Sequence, residues 1–276
     1  MLAEIAHIGA DPRGGYSRPG YGHEDRELRE WFGAHAEARG LEVHRDANGI
    51  VWAWWRPRGS AGPAVVTGSH LDSVPGGGGY DGPLGVASAL AAVDLLRERG
   101  VTPSRPVALA VFPEEEGSRF GLACLGSRLM AGAVAPERAL ALKDRDGTTV
   151  AEALIRDGLD PRHVGMDRES LDGIGCFVEL HVEQGRGLID LGQPIAIGSS
   201  ILGHGRWRIT VDGQGNHAGT TLMADRRDPM VAAARMVVAI REAGRDVPDA
   251  RATVGRIEPV PGGTNVIASR GSFWLD

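Results

Sequence analysis

The stretch Ala64-Val-Val-Thr-Gly-Ser-His-Leu-Asp72 decides the fold. Ala64 to Thr67 is a short apolar run of the kind that fills a buried strand, and two titratable side chains, His70 and Asp72, follow at its end. Past a glycine-rich turn, Pro83 to Gly100 reads as a helix, with Pro in its first turn and Gly just past its end. Pro106 to Phe112 is a second apolar strand. Strand, helix and strand in this order predict an α/β layer fold with a mostly parallel sheet. In such sheets functional residues gather at the carboxyl ends of the strands.

Outward from this unit the pattern continues. Glu24 to Gly40 reads as an amphipathic helix, with Leu28, Trp31, Phe32 and His35 on one face. Leu41 to Arg45 and Ile50 to Trp55 read as strands around Asp46-Ala-Asn-Gly49, whose Asn-Gly step signals a hairpin turn. Cys176 to His181 is expected to be a third buried strand. From about Ser199 the texture changes. Arg206 to Val211 alternates polar and apolar residues, Asp228-Pro229 opens a helix to Gly244, and strands are expected at Arg251–Ile257, Asn265–Ser269 and Gly271–Asp276. The expected organisation is an α/β domain over 1–198 and a small α+β domain over 199–276.

Composition narrows the function classes. Of the 276 residues, 42% are hydrophobic and 24% charged, which excludes a disordered chain. The net charge of −6, with no basic block, argues against nucleic acid as a partner. No apolar run approaches the ~18 residues of a membrane span, and Met1 to Arg13 lacks the layout of a signal peptide. Only Cys124 and Cys176 are present, so a disulfide framework is excluded. A cytoplasmic protein with free thiols is expected.

Four segments carry the chemistry, each at or just past an expected strand end. In Thr67-Gly-Ser-His-Leu-Asp72, His70 and Asp72 share a side of extended backbone. A carboxylate there can orient a metal-binding imidazole; the plain structural alternative is a strand-end His capped by a local Asp. In Val74-Pro-Gly-Gly-Gly-Gly-Tyr-Asp-Gly-Pro83, Asp81 stands at the mouth of the next helix, where an ordinary N-cap is the competing reading. The glycine run lacks the GxGxxG order of a dinucleotide fingerprint. Phe112-Pro-Glu-Glu-Glu-Gly-Ser-Arg-Phe120 sets three carboxylates side by side after a strand, so a cation neutralises them or water solvates them. In Glu179-Leu-His-Val-Glu-Gln-Gly185, His181 and Glu183 again share a side. Two His, an Asp and a Glu suit zinc or manganese, and a free Glu beside them suits proton transfer. There is no Gly-x-Ser-x-Gly elbow, and neither Cys carries a catalytic signature.

These segments, with Asn216-His-Ala-Gly-Thr-Thr221 and Asn265-Val-Ile267, run in one order along the chain, and that order resembles the hydantoinase/carbamoylase-type amidases. This group includes allantoate amidohydrolase, N-carbamoyl-L-amino-acid hydrolase and β-ureidopropionase, within the di-zinc aminoacylase/carboxypeptidase superfamily. The resemblance implies a di-zinc exopeptidase-like catalytic domain and a lid/dimerisation domain. It implies two divalent metals per site, zinc or manganese, in a metal-dependent hydrolase that cleaves a linear ureido or amide C–N bond. His70 and His181 would hold the first metal, Asp81 would bridge, and Glu116 would bind the second. Glu115 would be general base and then acid, and Asp72 would orient His70. Gln184, His217 and Asn265 would contact substrate, with His217 at the oxyanion and donated by the partner of a homodimer.

Such amidases continue for over a hundred residues past the point matching Asp276, through a substrate-gripping arginine and a last His ligand of the second metal. The resemblance therefore implies a truncated chain with both domains incomplete. One tightly held metal, self-association and low activity are expected of it. His204 stands where relatives often carry Gln. The competing readings are an aminoacylase or dipeptidase of the same superfamily, and an inactive fragment that keeps a metal-binding or dimer-forming surface.

Overall fold

The structure is a computed structural model that describes residues 1–276. It divides into two compact units, Met1–Pro194 and Ile195–Asp276.

The first unit opens with a 3-10 turn, Leu2–Ile5, and helix α1, His23–Ala38. Gly40, in the left-handed region at φ 65°, ends the helix where the sequence places a terminating glycine. Strands β1 (Glu42–Arg45) and β2 (Val51–Trp55) form the expected antiparallel hairpin. Strand β3 (Ala64–His70), helix α2 (Pro83–Glu98) and strand β4 (Val107–Phe112) follow as the central β-α-β unit. Four short helices come next: α3 (Leu125–Met130), α4 (Pro136–Leu140), α5 (Val150–Arg156) and α6 (Arg168–Gly173). Strand β5 (Ile174–Val178) and helix α7 (Gly187–Leu191) complete the unit.

The sheet order is β1-β2-β4-β3-β5. The pairs β4–β3 and β3–β5 are parallel, whereas β1–β2 and β2–β4 are antiparallel, so every strand but β2 points the same way. Because β1, β4, β3 and β5 share one direction, their carboxyl ends lie along one edge of the sheet. Leu28 and Phe32 of α1, Val86, Leu90 and Val93 of α2, and Leu109 and Val111 of β4 form one fully buried cluster. Burying side chains of this size stabilises by roughly 1.5–3 kcal/mol each. A second cluster, around Leu125, Leu129, Val150 and Leu154, holds the short helices together.

At Gly68 a Cβ would stand 1.9 Å from the Ala110 carbonyl oxygen, and φ is 151°. Only glycine fits there, and it allows β3 to run on to His70 beside β4. The expected buried strand Cys176–His181 is corrected on two counts. The strand runs from Ile174 to Val178, so His181 lies beyond it, and Phe177 and Val178 are 44% and 58% exposed. The physical reason is position: β5 is the sheet edge and pairs only with β3.

The second unit has a three-stranded antiparallel sheet of β6 (Trp207–Asp212), β8 (Val254–Val260) and β10 (Arg270–Leu275), ordered β6-β10-β8. Helix α8 (Pro229–Asp246) starts with the Asp228 side chain accepting the Met230 N–H at 2.9 Å. A two-residue pair, β7 (Asn216–His217) and β9 (Val266–Ile267), sits apart from that sheet.

Candidate metal centre

The carboxyl ends of β3 and β4, the turn before α2 and the segment after β5 converge on one cluster. His70 is the last residue of β3 and is 2% exposed. Its Nδ1 lies 3.0 Å from the Asp72 carbonyl oxygen and 3.6 Å from Asp72 Oδ1. With Nδ1–H donating to the Asp72 carbonyl oxygen, the Nε2 lone pair is left for the site. His181 has the same arrangement, its Nδ1 at 2.9 Å from the Val182 carbonyl oxygen. The two Nε2 atoms face Asp81 Oδ1 from 3.8 Å and 3.1 Å.

Asp81 is not the helix cap that its position also allowed. The N-cap is Gly82, and no side chain caps it. Gly82 has φ 86°, and a Cβ there would lie 2.5 Å from the His70 carbonyl oxygen and 2.7 Å from its ring. The close approach of this glycine brings Asp81 beside the end of β3.

Asp72 is fully buried and does more than orient His70. Its Oδ1 accepts the Glu115 N–H and its Oδ2 the Glu116 N–H, each at 3.1 Å. The turn after β4 is thereby tied to the end of β3. Glu115 turns Oε2 to within 3.7 Å of His70 Nε2. The Glu116 carboxylate is close enough to Asp81 and His70 for their charges to act on it, although its oxygens are not among the tight set of ligand atoms.

Two groups at this turn escaped the sequence reading. Glu114, buried and in the left-handed region at φ 52°, accepts the Arg119 and Phe120 N–H groups through Oε1 and so closes the turn. The Cys124 thiol, at 3.3 Å, donates to Glu115 Oε1. Both residues have left-handed backbone, which their residue types do not advertise.

The electrostatics call for a cation. Burial alone lowers the His70 pKa, but the Asp72 hydrogen bond and charge, with Glu115 and Glu116 nearby, outweigh it and hold the imidazole up at about 9. Burial pushes Glu116 up to about 7, aided by Asp81, Asp72 and Glu115 and opposed by His70. Burial, then the Asp72 charge, pushes Glu114 up to about 8. Burial also raises the Cys124 thiol to about 11, so it remains a donor at neutral pH. Burial holds protons on Glu114 and Glu116, and the surrounding carboxylates hold one on His70; a metal ion would offset the same crowding of negative charge.

The residues fit such an ion. His70, Asp81 and His181 each offer one ligand atom, and all three atoms lie within 4.8 Å of one another. Two imidazoles and a carboxylate are a donor set for zinc or manganese, and both imidazoles have their second nitrogen held. Glu183 is not part of this set: its carboxylate accepts the Gly187 and Leu188 N–H groups and caps α7. Gln184, next to it, donates from Nε2 to Asp81 Oδ2. In the second unit the β7–β9 pair brings His217 beside Asn265, whose carbonyl oxygen accepts the Ala218 N–H at 2.9 Å. The His217 Nδ1 accepts the Gly219 N–H at 3.0 Å.

A mainly parallel α/β sheet that gathers two imidazoles and surplus carboxylates at its carboxyl edge defines a candidate metal-binding framework. The profile of peptidase family M20/M25/M40 matches residues 66–267, and the chain belongs to this metal-dependent family. It is 38% identical over 275 residues to N-carbamoyl-L-amino acid amidohydrolase of Geobacillus stearothermophilus, covering 100% of this chain and 67% of that protein. It is 34% identical over 278 residues to allantoate amidohydrolase of Escherichia coli (strain K12), again covering 100% and 67%. Among solved structures it is similar to an amidase of the hydantoinase/carbamoylase family from Burkholderia vietnamiensis. That match has a TM-score of 0.86 and 34% identity over 99% of this chain and 66% of the other. The chain thus spans about two thirds of the length of these relatives. No helix is long and apolar enough to cross a membrane.

Proposed function

We propose that the chain carries the metal centre of an amidohydrolase acting on a carbamoyl or ureido C–N bond, of the N-carbamoyl amino acid or allantoate type. His70, Asp81 and His181 hold one divalent metal, zinc or manganese. Asp81 and Glu116 offer a second, weaker place. A cation held there supplies the positive charge that acidifies a water and polarises the substrate carbonyl. Glu115 takes the proton of the attacking water and hands it to the departing nitrogen. Asp72 and Cys124 hold that carboxylate in place, Asp72 through the Glu115 N–H and Cys124 through Oε1. The assignment extends to Gln184, His217 and Asn265 as substrate contacts, with His217 steadying the oxyanion, to a homodimer and to a cytoplasmic location.

The observation that supports this reading is the convergence of three ligand atoms within 4.8 Å, with Glu115 Oε2 only 3.7 Å from His70 Nε2. The test is ammonia release from N-carbamoyl-L-amino acids and from allantoate by the chain loaded with Mn²⁺ or Zn²⁺, against a chelated control. Metal-dependent release supports the reading. Cleavage of N-acyl amino acids or dipeptides alone would replace it with an aminoacylase or peptidase. No turnover of any of these by a metal-loaded, folded chain would overturn the catalytic assignment.

A further inference from the structure

We infer that Gln184 competes for the second oxygen of Asp81 and so sets whether this centre holds one cation or two. The inference rests on the assignment of Asp81 as a metal ligand. The two oxygens of Asp81 are used differently. Oδ1 faces both imidazoles, 3.1 Å from His181 Nε2 and 3.8 Å from His70 Nε2. Oδ2 accepts from Gln184 Nε2, which makes no other hydrogen bond. A carboxylate bridges two cations only when each oxygen is free to bind one. An amide NH2 can only donate, and its hydrogens carry partial positive charge. While it sits on Oδ2, it draws off the charge that a second cation needs and repels that cation at short range.

The placement of Gln184 is built by its neighbours. Glu183 fixes the turn by accepting the Gly187 N–H at 2.6 Å and the Leu188 N–H at 3.0 Å. On the other side, His181 is pinned to the Val182 carbonyl oxygen. Gln184 is therefore presented to Asp81 from a braced segment between a ligand and a helix cap. The amide keeps a second N–H and its oxygen for other partners, so only a substrate that draws the side chain off Asp81 frees Oδ2. Such a substrate and a second cation favour the same state of the side chain. The coupling is reciprocal: each tightens the binding of the other.

The test is a Mn²⁺ titration of the metal-free 276-residue chain, with free Mn²⁺ read from its electron paramagnetic resonance signal. Wild type is compared with Gln184→Met, which keeps the length and removes the donors, and with Gln184→Ala. The first equivalent should bind all three proteins alike, which also reports that the variants fold. The second equivalent should bind both variants about tenfold more tightly, or better, the equal of one charge-assisted hydrogen bond. An unchanged or weaker second equivalent in both variants, with the first retained, overturns the inference and leaves the ligand assignment intact. A wild-type chain that retains no Mn²⁺ overturns the ligand assignment and this inference with it.

Discussion

Replacing Asp72 by Asn tests the joint between β3 and β4 with almost no change of shape. Asp72 is fully buried, and each of its oxygens accepts one backbone N–H, from Glu115 and Glu116, at 3.1 Å. Asn keeps one acceptor and turns an NH2 toward the other donor. One charge-assisted hydrogen bond is lost outright, at about 1.5–3 kcal/mol, and the other is weakened to a neutral one. Relief from burying a charge offsets part of this, which leaves a loss of about 2–4 kcal/mol. For a chain of this size that lowers the melting temperature by about 5–15 °C. The same substitution removes the charge that faces His70 Nδ1 and loosens the turn that carries Glu115 and Glu116, so Mn²⁺ affinity should fall by about 10–100-fold. Circular dichroism melts of the metal-free chain and a Mn²⁺ titration measure the two effects separately. A variant with wild-type melting temperature and wild-type Mn²⁺ affinity would refute the view that Asp72 organises both sides of the centre.

Glu115→Gln should lower turnover by about 10²-fold or more while leaving metal content unchanged, as elemental analysis after dialysis would show. Loss of metal instead would reverse the roles of Glu115 and Glu116. Gly82→Ala forces a Cβ to within 2.5 Å of the His70 carbonyl oxygen at φ 86°, so it should cost about 1–3 kcal/mol in denaturant unfolding and weaken metal binding. A stable, metal-binding Gly82→Ala protein would count against the close approach. The metal-free chain should also lose stability as pH rises. Glu114, held up at about 8 against 4.5 for an ordinary carboxyl, binds more protons folded than unfolded between those values. His70, at about 9 against 6.5, has the same sign between those values. Melting temperatures should fall from about pH 6 to about pH 9, and Glu114→Gln should flatten part of the slope. A rise over that range would contradict the burial of these groups.

The central β-α-β unit was legible because its signals agree. The apolar run from Ala64, the Pro83 helix start and the apolar run to Phe112 each point to one element, and all three appear within a few residues of the expected bounds. The gathering of His70, Asp81 and His181 was legible because these residues stand at or just past the ends of apolar runs. The region from Leu125 to Gly173 was not read, since its helices are five to seven residues long and give no sustained periodicity. Strand β5 was read as buried because apolar content alone does not distinguish a central strand from an edge. The sequence places Glu183 on the same side of the chain as His181 and gives it no further role. Its carboxylate serves a helix end, which depends on a turn that only the folded backbone reveals.

The candidate ligands of this centre stand far apart in the chain: His70 ends the strand next to the sheet edge, and His181 belongs to the segment that leaves the edge strand. A cation held by both would act as a staple across the β3–β5 seam. Without it, β5 is retained by one ladder of backbone hydrogen bonds and carries exposed apolar side chains. The seam is then the natural place for local opening. A chelator should therefore turn the stretch from β5 to α7 into a preferred protease target and speed its amide hydrogen exchange, while the β2–β4–β3 centre of the sheet stays protected.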